Sequence, residues 1–205
     1  MTIQKLDPRI IRTRKLLEDA FTSLIREKDF HSITVGDITT RATVNRATFY
    51  AHFTDKYELL DSTITNDFRD YLKQRLNCHS LFNQETLTNI LLVMCDYHKN
   101  LSTLCSSRYQ SLGTLIQNNI IEELQNFIFN SLVHTNDQTP GLSKLESIKT
   151  ISTMLSWSIY GATYSWNKEG RKISTEQFIT NMLPIIMDGV GSKGICDLIE
   201  NYSSK

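Results

Sequence analysis

Four neighbouring residues at positions 45–48 have side chains suited to contacts with nucleic acid. Asn45, Arg46 and Thr48 can donate hydrogen bonds either to base edges or to phosphate oxygens. Ala47 is small, so a helix that carries it can approach DNA closely and touch a thymine methyl group. These residue types predict a segment that contacts duplex DNA, and base reading and phosphate binding both remain open for Asn45 and Arg46.

Phosphate contacts are predicted for the polar side chains that follow this segment. Tyr50 and His52 end in groups that can hydrogen-bond to phosphate oxygens. Lys56 falls in the first turn of the next predicted helix, where backbone N–H groups and the helix dipole also favour a phosphate. Thr34 completes the set of predicted DNA-binding residues. His52 has a second interpretation, because a histidine at the end of a helix can simply cap it or pack there.

Metal binding and catalysis find little support elsewhere in the chain. Cys95 and His98 are spaced i and i+3, as two metal ligands on one helix can be, but no second pair has matching spacing. The four cysteines form no CxxC pair and are predicted to be reduced thiols. The sequence contains no GxSxG and no HExxH. We therefore predict no metal, no cofactor and no enzymatic activity.

The spacing of apolar residues predicts an all-α fold of about nine helices. Apolar positions recur every three or four residues, alternation is not sustained, and the 205-residue chain has three prolines. Gly170 is predicted to close the next-to-last helix, and Pro184 to kink or divide the last. The helices are predicted near residues 8–28, 33–42, 46–53, 56–76, 85–99, 101–107, 110–134, 143–168 and 175–188.

Two short helices joined by a brief turn and supported by a longer helix are the elements of a helix-turn-helix. Thr34 is a good N-cap for the first short helix, and Asp37 follows three residues later, close to a capping box. The break at residues 43–45 separates it from the second short helix, whose Phe49 and Phe53 are predicted to point inward. The second short helix would then enter the major groove of DNA.

Residues 33–60 combine many such positions at fixed spacing. They include Ile33-Thr34-Val35, Asp37-Ile38, Ala42-Thr43-Val44, Thr48-Phe49-Tyr50, His52-Phe53, Asp55-Lys56 and Leu59-Leu60. This pattern resembles the TetR/AcrR family of bacterial regulators, and the resemblance covers about residues 8–60. Thr43 stands where the family usually has glycine, so it must accept a backbone conformation that suits glycine better. Thr39 stands where the family has alanine, which is a mild change.

The resemblance implies two domains with different tasks. Residues 8–68 would form the DNA-binding domain, and residues 77–205 a helical domain that binds an effector and dimerises. In this family the last two long helices form a four-helix dimer interface. The implied partners are a palindromic operator in double-stranded DNA, a second copy of the chain and a small-molecule effector.

The apolar pattern of the C-terminal helices suggests which residues form the implied dimer interface and effector pocket. A helix with two apolar stripes is buried on two sides, against its own core and against a partner. The predicted interface residues are Ile148, Ile151, Leu155, Gly161, Met182 and Ile186. The predicted pocket residues are Tyr97, Tyr109, Phe127, Trp157 and Tyr160. Such aromatic residues are more often plain core, but their number favours an apolar or aromatic effector.

Charge and composition limit the classes of protein. Lys+Arg and Asp+Glu both total 22, so the formal net charge is zero and a globally basic surface is excluded. Residues 1–76 hold 13 basic and 11 acidic residues, a small positive excess in the half predicted to bind DNA. Neither a secretory signal nor an apolar run of membrane-spanning length is apparent. We predict a cytoplasmic protein that does not insert into a membrane.

Three functions follow from these observations. The first is a ligand-responsive repressor that acts as a homodimer. The second is a regulator of the same fold that is controlled by a protein partner and not by a small molecule. The third, a helical enzyme or carrier, lacks the necessary chemistry. An enclosed pocket within residues 77–190 would favour the first function, and a filled core would favour the second.

Overall fold

A computed structural model describes residues 7–76, 80–104, 109–135 and 142–191, with the side chains of 103–104, 109–115 and 188–191 left out. Within these ranges the chain forms eight α-helices and no strand, which confirms the predicted all-α fold. The helices are α1 (Pro8–Glu27), α2 (Val35–Ala42), α3 (Arg46–Tyr50), α4 (Lys56–Arg75), α5 (Gln84–Leu104), α6 (Tyr109–Thr135), α7 (Leu142–Lys168) and α8 (Thr175–Gly191). A short 3-10 helix, Phe30–Ser32, lies between α1 and α2.

The first helix supports the predicted helix-turn-helix. α1 begins with Pro8 in its first turn, where the missing N–H costs no hydrogen bond, and the side chain of Asp7 accepts a hydrogen bond from the backbone N–H of Arg9. α1 packs against α2, and α2 packs against α3. The buried residues of α1 are Leu17, Ala20, Phe21 and Leu24.

The turn between α2 and α3 contains a residue in the left-handed region. Thr43 has φ 56° and ψ 43°, a conformation that is costly for a β-branched side chain. Its N–H donates to the carbonyl of Thr40 at 3.2 Å, and the N–H of Val44 donates to the carbonyl of Thr39 at 3.0 Å. The expected glycine-like backbone at position 43 is therefore confirmed.

Two of the predicted helix boundaries were wrong. α3 ends at Tyr50 and not at residue 53, because the chain tightens there: the N–H groups of His52 and Phe53 both donate to the carbonyl of Phe49 at 2.9 Å. The helices expected at 85–99 and 101–107 are one helix as far as Leu104. Lys99 and Asn100 lie on the exposed side of α5, so they do not interrupt its buried face. Residues 105–108 lie outside the described ranges.

The chain divides into two compact units, and the division falls within α4. One unit comprises residues 1–67 and 101–117, and the other comprises 68–100 and 118–205. The assignment of DNA binding to residues 8–68 and of effector binding to residues 77–205 stays a prediction.

A glycine follows the end of α7, and a proline lies inside α8. α7 closes at Gly170, which has φ 85°, and the next N–H, that of Arg171, donates to the carbonyl of Trp166 at 3.0 Å. This confirms the predicted end of the next-to-last helix. Pro184 lies inside α8, which continues as a helix on both sides of it, so the proline does not divide the helix.

Candidate nucleic-acid interface

The start of α3 is fixed by the side chain of Asn45. Its Oδ1 atom accepts hydrogen bonds from the backbone N–H of Thr48 at 2.7 Å and from the Thr48 hydroxyl at 2.8 Å. This satisfies one of the N–H groups that a helix start leaves without an intrahelical partner. Asn45 therefore brings its NH2 group, and not its carbonyl oxygen, to any contact with DNA.

α3 has one buried face and one exposed face. Phe49 and Phe53 are fully buried, and their ring centroids are 5.9 Å apart, which confirms that both point inward. Arg46 and Ala47 are exposed, and Tyr50 is 58% exposed although its ring packs edge-on against Phe49 at 5.4 Å. The two buried phenylalanines hold the helix in place while its opposite face is open to a large partner.

His52 lies at the edge of this face and is half-buried. Its carbonyl oxygen accepts a hydrogen bond from Nη1 of Arg14 at 3.2 Å. The same guanidinium donates to Oγ of Ser62 at 3.0 Å and lies 4.3 Å from the centre of the Phe53 ring. Arg14 could not be predicted as part of this site, because it lies 38 residues from its partner and no local spacing signals the contact.

The first short helix begins with a capping box, as predicted. The Thr34 hydroxyl accepts from the backbone N–H of Asp37 at 3.1 Å, and the Asp37 carboxylate accepts from the backbone N–H of Thr34 at 2.8 Å. Lys28 also pairs with this carboxylate at 2.7 Å. The Lys28 ammonium, followed by the hydrogen bonds from Thr34, holds the pKa of Asp37 well below its usual range. Thr34 is exposed, but its hydroxyl is already used by the cap.

Lys56 is engaged within the protein. Its Nζ atom donates to the carbonyls of Phe30 at 3.0 Å, His31 at 3.0 Å and Ile33 at 2.9 Å, and it lies 4.7 Å from the centre of the Phe30 ring. Burial lowers the pKa of Lys56. An ammonium group has three donors, and all three are used here. The geometry therefore favours a structural role for Lys56 over the predicted phosphate contact.

The predicted effector residues whose side chains the structure describes lie in different surroundings. Phe127 lines a groove of about 200 Å³ between α4 and α6. Arg69 and Glu123, which form an ion pair with Nη2–Oε1 at 2.6 Å, line the same groove. Trp157 is 49% exposed. The side chain of Tyr109 lies outside the described residues.

Tyr97 and Tyr160 are brought together in one buried aromatic cluster, which we define as Tyr97, His98, Tyr160 and Tyr164. The ring of His98 is 5.9 Å from that of Tyr97, 5.0 Å from that of Tyr160 and 5.8 Å from that of Tyr164. The rings of Tyr160 and Tyr164 are stacked at 6.1 Å. Burial raises the pKa of the Tyr160 hydroxyl.

The predicted dimer residues fall on different sides of α7 and α8. Ile148, Leu155 and Ile186 are buried within the single chain, so their assignment to a partner-facing surface is corrected. Ile151 and Met182 are half-buried. Gly161 is exposed, and a Cβ atom there would meet nothing within 4 Å. Among the described side chains of these two helices, the large apolar ones that are exposed are Leu142, Met154, Trp157 and Ile185.

Cys95 and His98 are both buried, and burial shifts the pKa of each side chain. It raises the pKa of the Cys95 thiol to about 12 and lowers the pKa of His98 to about 4. Among the described residues, no three or more His, Cys, Asp and Glu side chains come together as metal ligands could. The same residues include no helix with the length and apolar character of a membrane span.

The fold and the exposed face of α3 define a helix-turn-helix protein of the DNA-binding type. The family described as "Bacterial regulatory proteins, tetR family" matches residues 18–63, and that described as "Transcriptional regulator C-terminal region" matches residues 85–188, half of the chain. The chain belongs to the TetR family and is a transcriptional regulator. The family and fold are those of regulators and not of enzymes.

Individual relatives agree with this assignment. The HTH-type regulator YxbF of Bacillus subtilis is 44% identical over 62 residues, 30% of this chain and 16% of that protein. The dhaKLM operon activator DhaS of Lactococcus lactis is 32% identical over 74 residues, 36% of this chain and 40% of that protein. The matched regions thus span less than half of the length of either relative.

Solved structures extend the likeness in fold to most of the chain. A structure described as the dihydroxyacetone kinase operon activator DhaS has a TM-score of 0.58 at 20% identity and covers 87% of this chain and 96% of its own. A TetR regulator from Streptococcus agalactiae has a TM-score of 0.55 at 23% identity, over 87% of this chain and 95% of its own. At these identities the likeness shows the fold alone.

Proposed function

We propose that the chain is a homodimeric repressor that binds a palindromic DNA operator through α3 and releases it when an effector binds within residues 77–205. The exposed face of α3 is the observation that carries this proposal. Arg46, Ala47 and Tyr50 are exposed there, while Phe49 and Phe53 fix the helix from behind. This arrangement suits a recognition helix, which must present side chains to base edges without moving itself.

The open face of α7 supports the homodimer. Met154 is 65% exposed and Trp157 is 49% exposed, and Gly161 follows on the same side of the helix. Ile185 of α8 is 68% exposed. Exposed apolar side chains of this size are typical of a surface that a partner covers. In a two-fold dimer each surface meets its own copy, and two recognition helices then face two half-sites.

Control by a protein partner is the second candidate, and the aromatic cluster favours it. The rings of Tyr97, His98, Tyr160 and Tyr164 pack on one another, as expected for a filled core. A small-molecule sensor needs an enclosed space for its effector. In either mode of control, the effector or partner can change operator affinity only if it binds the protein better at one separation of the two recognition helices than at another.

The experiment that tests DNA binding is a selection from randomised duplexes with the purified full chain. A repressor of this kind should enrich a palindrome whose half-sites are separated by about one helical turn of DNA. Enrichment of no sequence would overturn the proposed function. A reporter placed behind the enriched duplex gives the sign of regulation. Reduced expression supports the repressor, whereas increased expression would match the relative DhaS, which is named as an activator.

A compound screen distinguishes the two modes of control. Apolar and aromatic compounds are tested first for a thermal shift of the protein and then for release of the enriched duplex. Release by a compound that also stabilises the protein supports the small-molecule effector. Compounds that stabilise the protein but leave operator affinity unchanged would favour the protein partner.

A further inference from the structure

The guanidinium of Arg46 lies against Gly36, in the first turn of α2. A Cβ atom built at Gly36 would lie 2.9 Å from Nη2 and 3.8 Å from Cζ of Arg46. The same atom would lie 3.5 Å from Oγ1 of Thr34. Arg46 and Thr34 are exposed, and Gly36 is half-buried. Arg46, on the exposed face of α3, is therefore the side chain through which α3 contacts α2 at Gly36.

Space, and not backbone conformation, explains why a glycine suits this position. Gly36 lies inside α2, and its φ is not positive, so any residue could adopt its backbone. Glycine within a helix lowers stability relative to alanine. Carbon and nitrogen atoms that are not bonded prefer separations well above 2.9 Å. A side chain at position 36 would therefore displace the Arg46 guanidinium from its present place.

We propose that Gly36 is a specificity-determining residue that acts through Arg46. By leaving room for the guanidinium, it sets the place from which Arg46 meets the DNA. An arginine reads guanine through two parallel hydrogen bonds to O6 and N7, and such a pair tolerates only small displacements of the donor. Gly36 is thus a positioning residue. This inference rests on the proposed binding of DNA by α3.

The test is a double-mutant cycle on the duplex enriched by the wild-type chain. Dissociation constants are measured for that duplex and for its single base-pair variants with the wild type, Gly36→Ala, Arg46→Ala and the double variant. Gly36→Ala should lower discrimination at one or two base pairs by about fivefold or more, since a bidentate arginine contact accounts for that much. In the Arg46→Ala background, Gly36→Ala should have no further effect on discrimination.

Two results would overturn the inference while leaving the proposed function intact. One is an unchanged base-pair preference for Gly36→Ala. The other is an equal change of preference in the presence and absence of Arg46, because Gly36 would then act on DNA by another route. Asn118→Ala, at an exposed position of α6, is the control, and it should leave preference unchanged. If the wild-type chain enriches no duplex, the proposed function itself fails.

Discussion

The ammonium group of Lys56 joins three backbone carbonyls in the segment that links α1 to α2. Those carbonyls belong to Phe30, His31 and Ile33, and the side chains of Phe30 and Ile33 are buried. A cation that satisfies three carbonyls fixes the path of the chain between the two helices. The residue thus connects the start of α4 to the helix-turn-helix from inside the protein.

Replacing Lys56 by Gln should lower the free energy of unfolding by about 1–3 kcal/mol, because hydrogen bonds to a charged donor are lost. The salt dependence of DNA affinity should stay unchanged, since no phosphate contact is removed. Chemical denaturation and binding at several salt concentrations measure the two effects. Lys73→Gln is a control in an exposed side chain and should change neither quantity. Unchanged stability together with a weaker dependence of DNA affinity on salt would show that Lys56 contacts a phosphate.

Asp37 predicts a pH dependence of stability. Its pKa is lowered in the folded protein by Lys28 and Thr34, so its carboxylate stabilises the fold above the ordinary value of about 3.9. That contribution is lost as pH falls toward the lower pKa of the folded state. The Tm of Asp37→Asn should therefore lie below that of the wild type at pH 7, and the difference should narrow below about pH 4. A difference that is constant from pH 7 to pH 3 would contradict this account.

Local contacts at the site could be predicted from sequence, and distant ones could not. The capping box of Thr34 and Asp37 is formed within three residues, so its spacing is visible in the chain. The partners of Lys56 lie up to 26 residues away, and those of Arg14 up to 48. Gly36 looked unremarkable in the sequence because only the folded chain brings Arg46 beside it.

At the scale of the elements, the turn of the helix-turn-helix carries conformational strain. Thr43 has a left-handed backbone, which costs a residue with a Cβ atom about 1–2 kcal/mol. Thr43→Gly should raise the free energy of unfolding by about 0.5–1 kcal/mol, after the larger chain entropy of glycine is allowed for. Chemical denaturation measures the change.

The matched control for Thr43→Gly is Thr40→Gly, an exposed position within α2 where the backbone is helical. It should lower the free energy of unfolding by about 0.3 kcal/mol or more. Equal destabilisation by both substitutions would show that Thr43 is not strained.

The helices themselves were predicted more reliably than their ends. Apolar spacing identified the helices because each buries one face. The end of α3 was missed because the residues between Tyr50 and the buried Phe53 form a tight turn, which apolar spacing does not distinguish from a helix. The division of α5 was wrong because the exposed Lys99 and Asn100 do not interrupt its buried face.

At the scale of the whole molecule, the exposed face of α7 predicts assembly. The substitution Gly161→Arg would place a charge without a partner in the proposed dimer interface, at a cost of several kcal/mol. Gly161→Arg should therefore be monomeric by sedimentation and should bind the enriched duplex weakly. Asn118→Arg, at an exposed position of α6, should remain dimeric. An intact dimer of Gly161→Arg would place the interface elsewhere.

Binding of the enriched duplex by Ala47→Glu tests most directly the central claim, which is that the exposed face of α3 contacts DNA. Ala47 is exposed in the first turn of α3, so glutamate there should not disturb the fold but would face the DNA phosphates. The account predicts an unchanged Tm and an affinity lower by more than about 100-fold, since like charges in contact cost several kcal/mol. Asn118→Glu, with the same added charge far along the chain, should bind as the wild type does. Wild-type affinity for Ala47→Glu would contradict the account, because the exposed face of α3 would then not contact DNA.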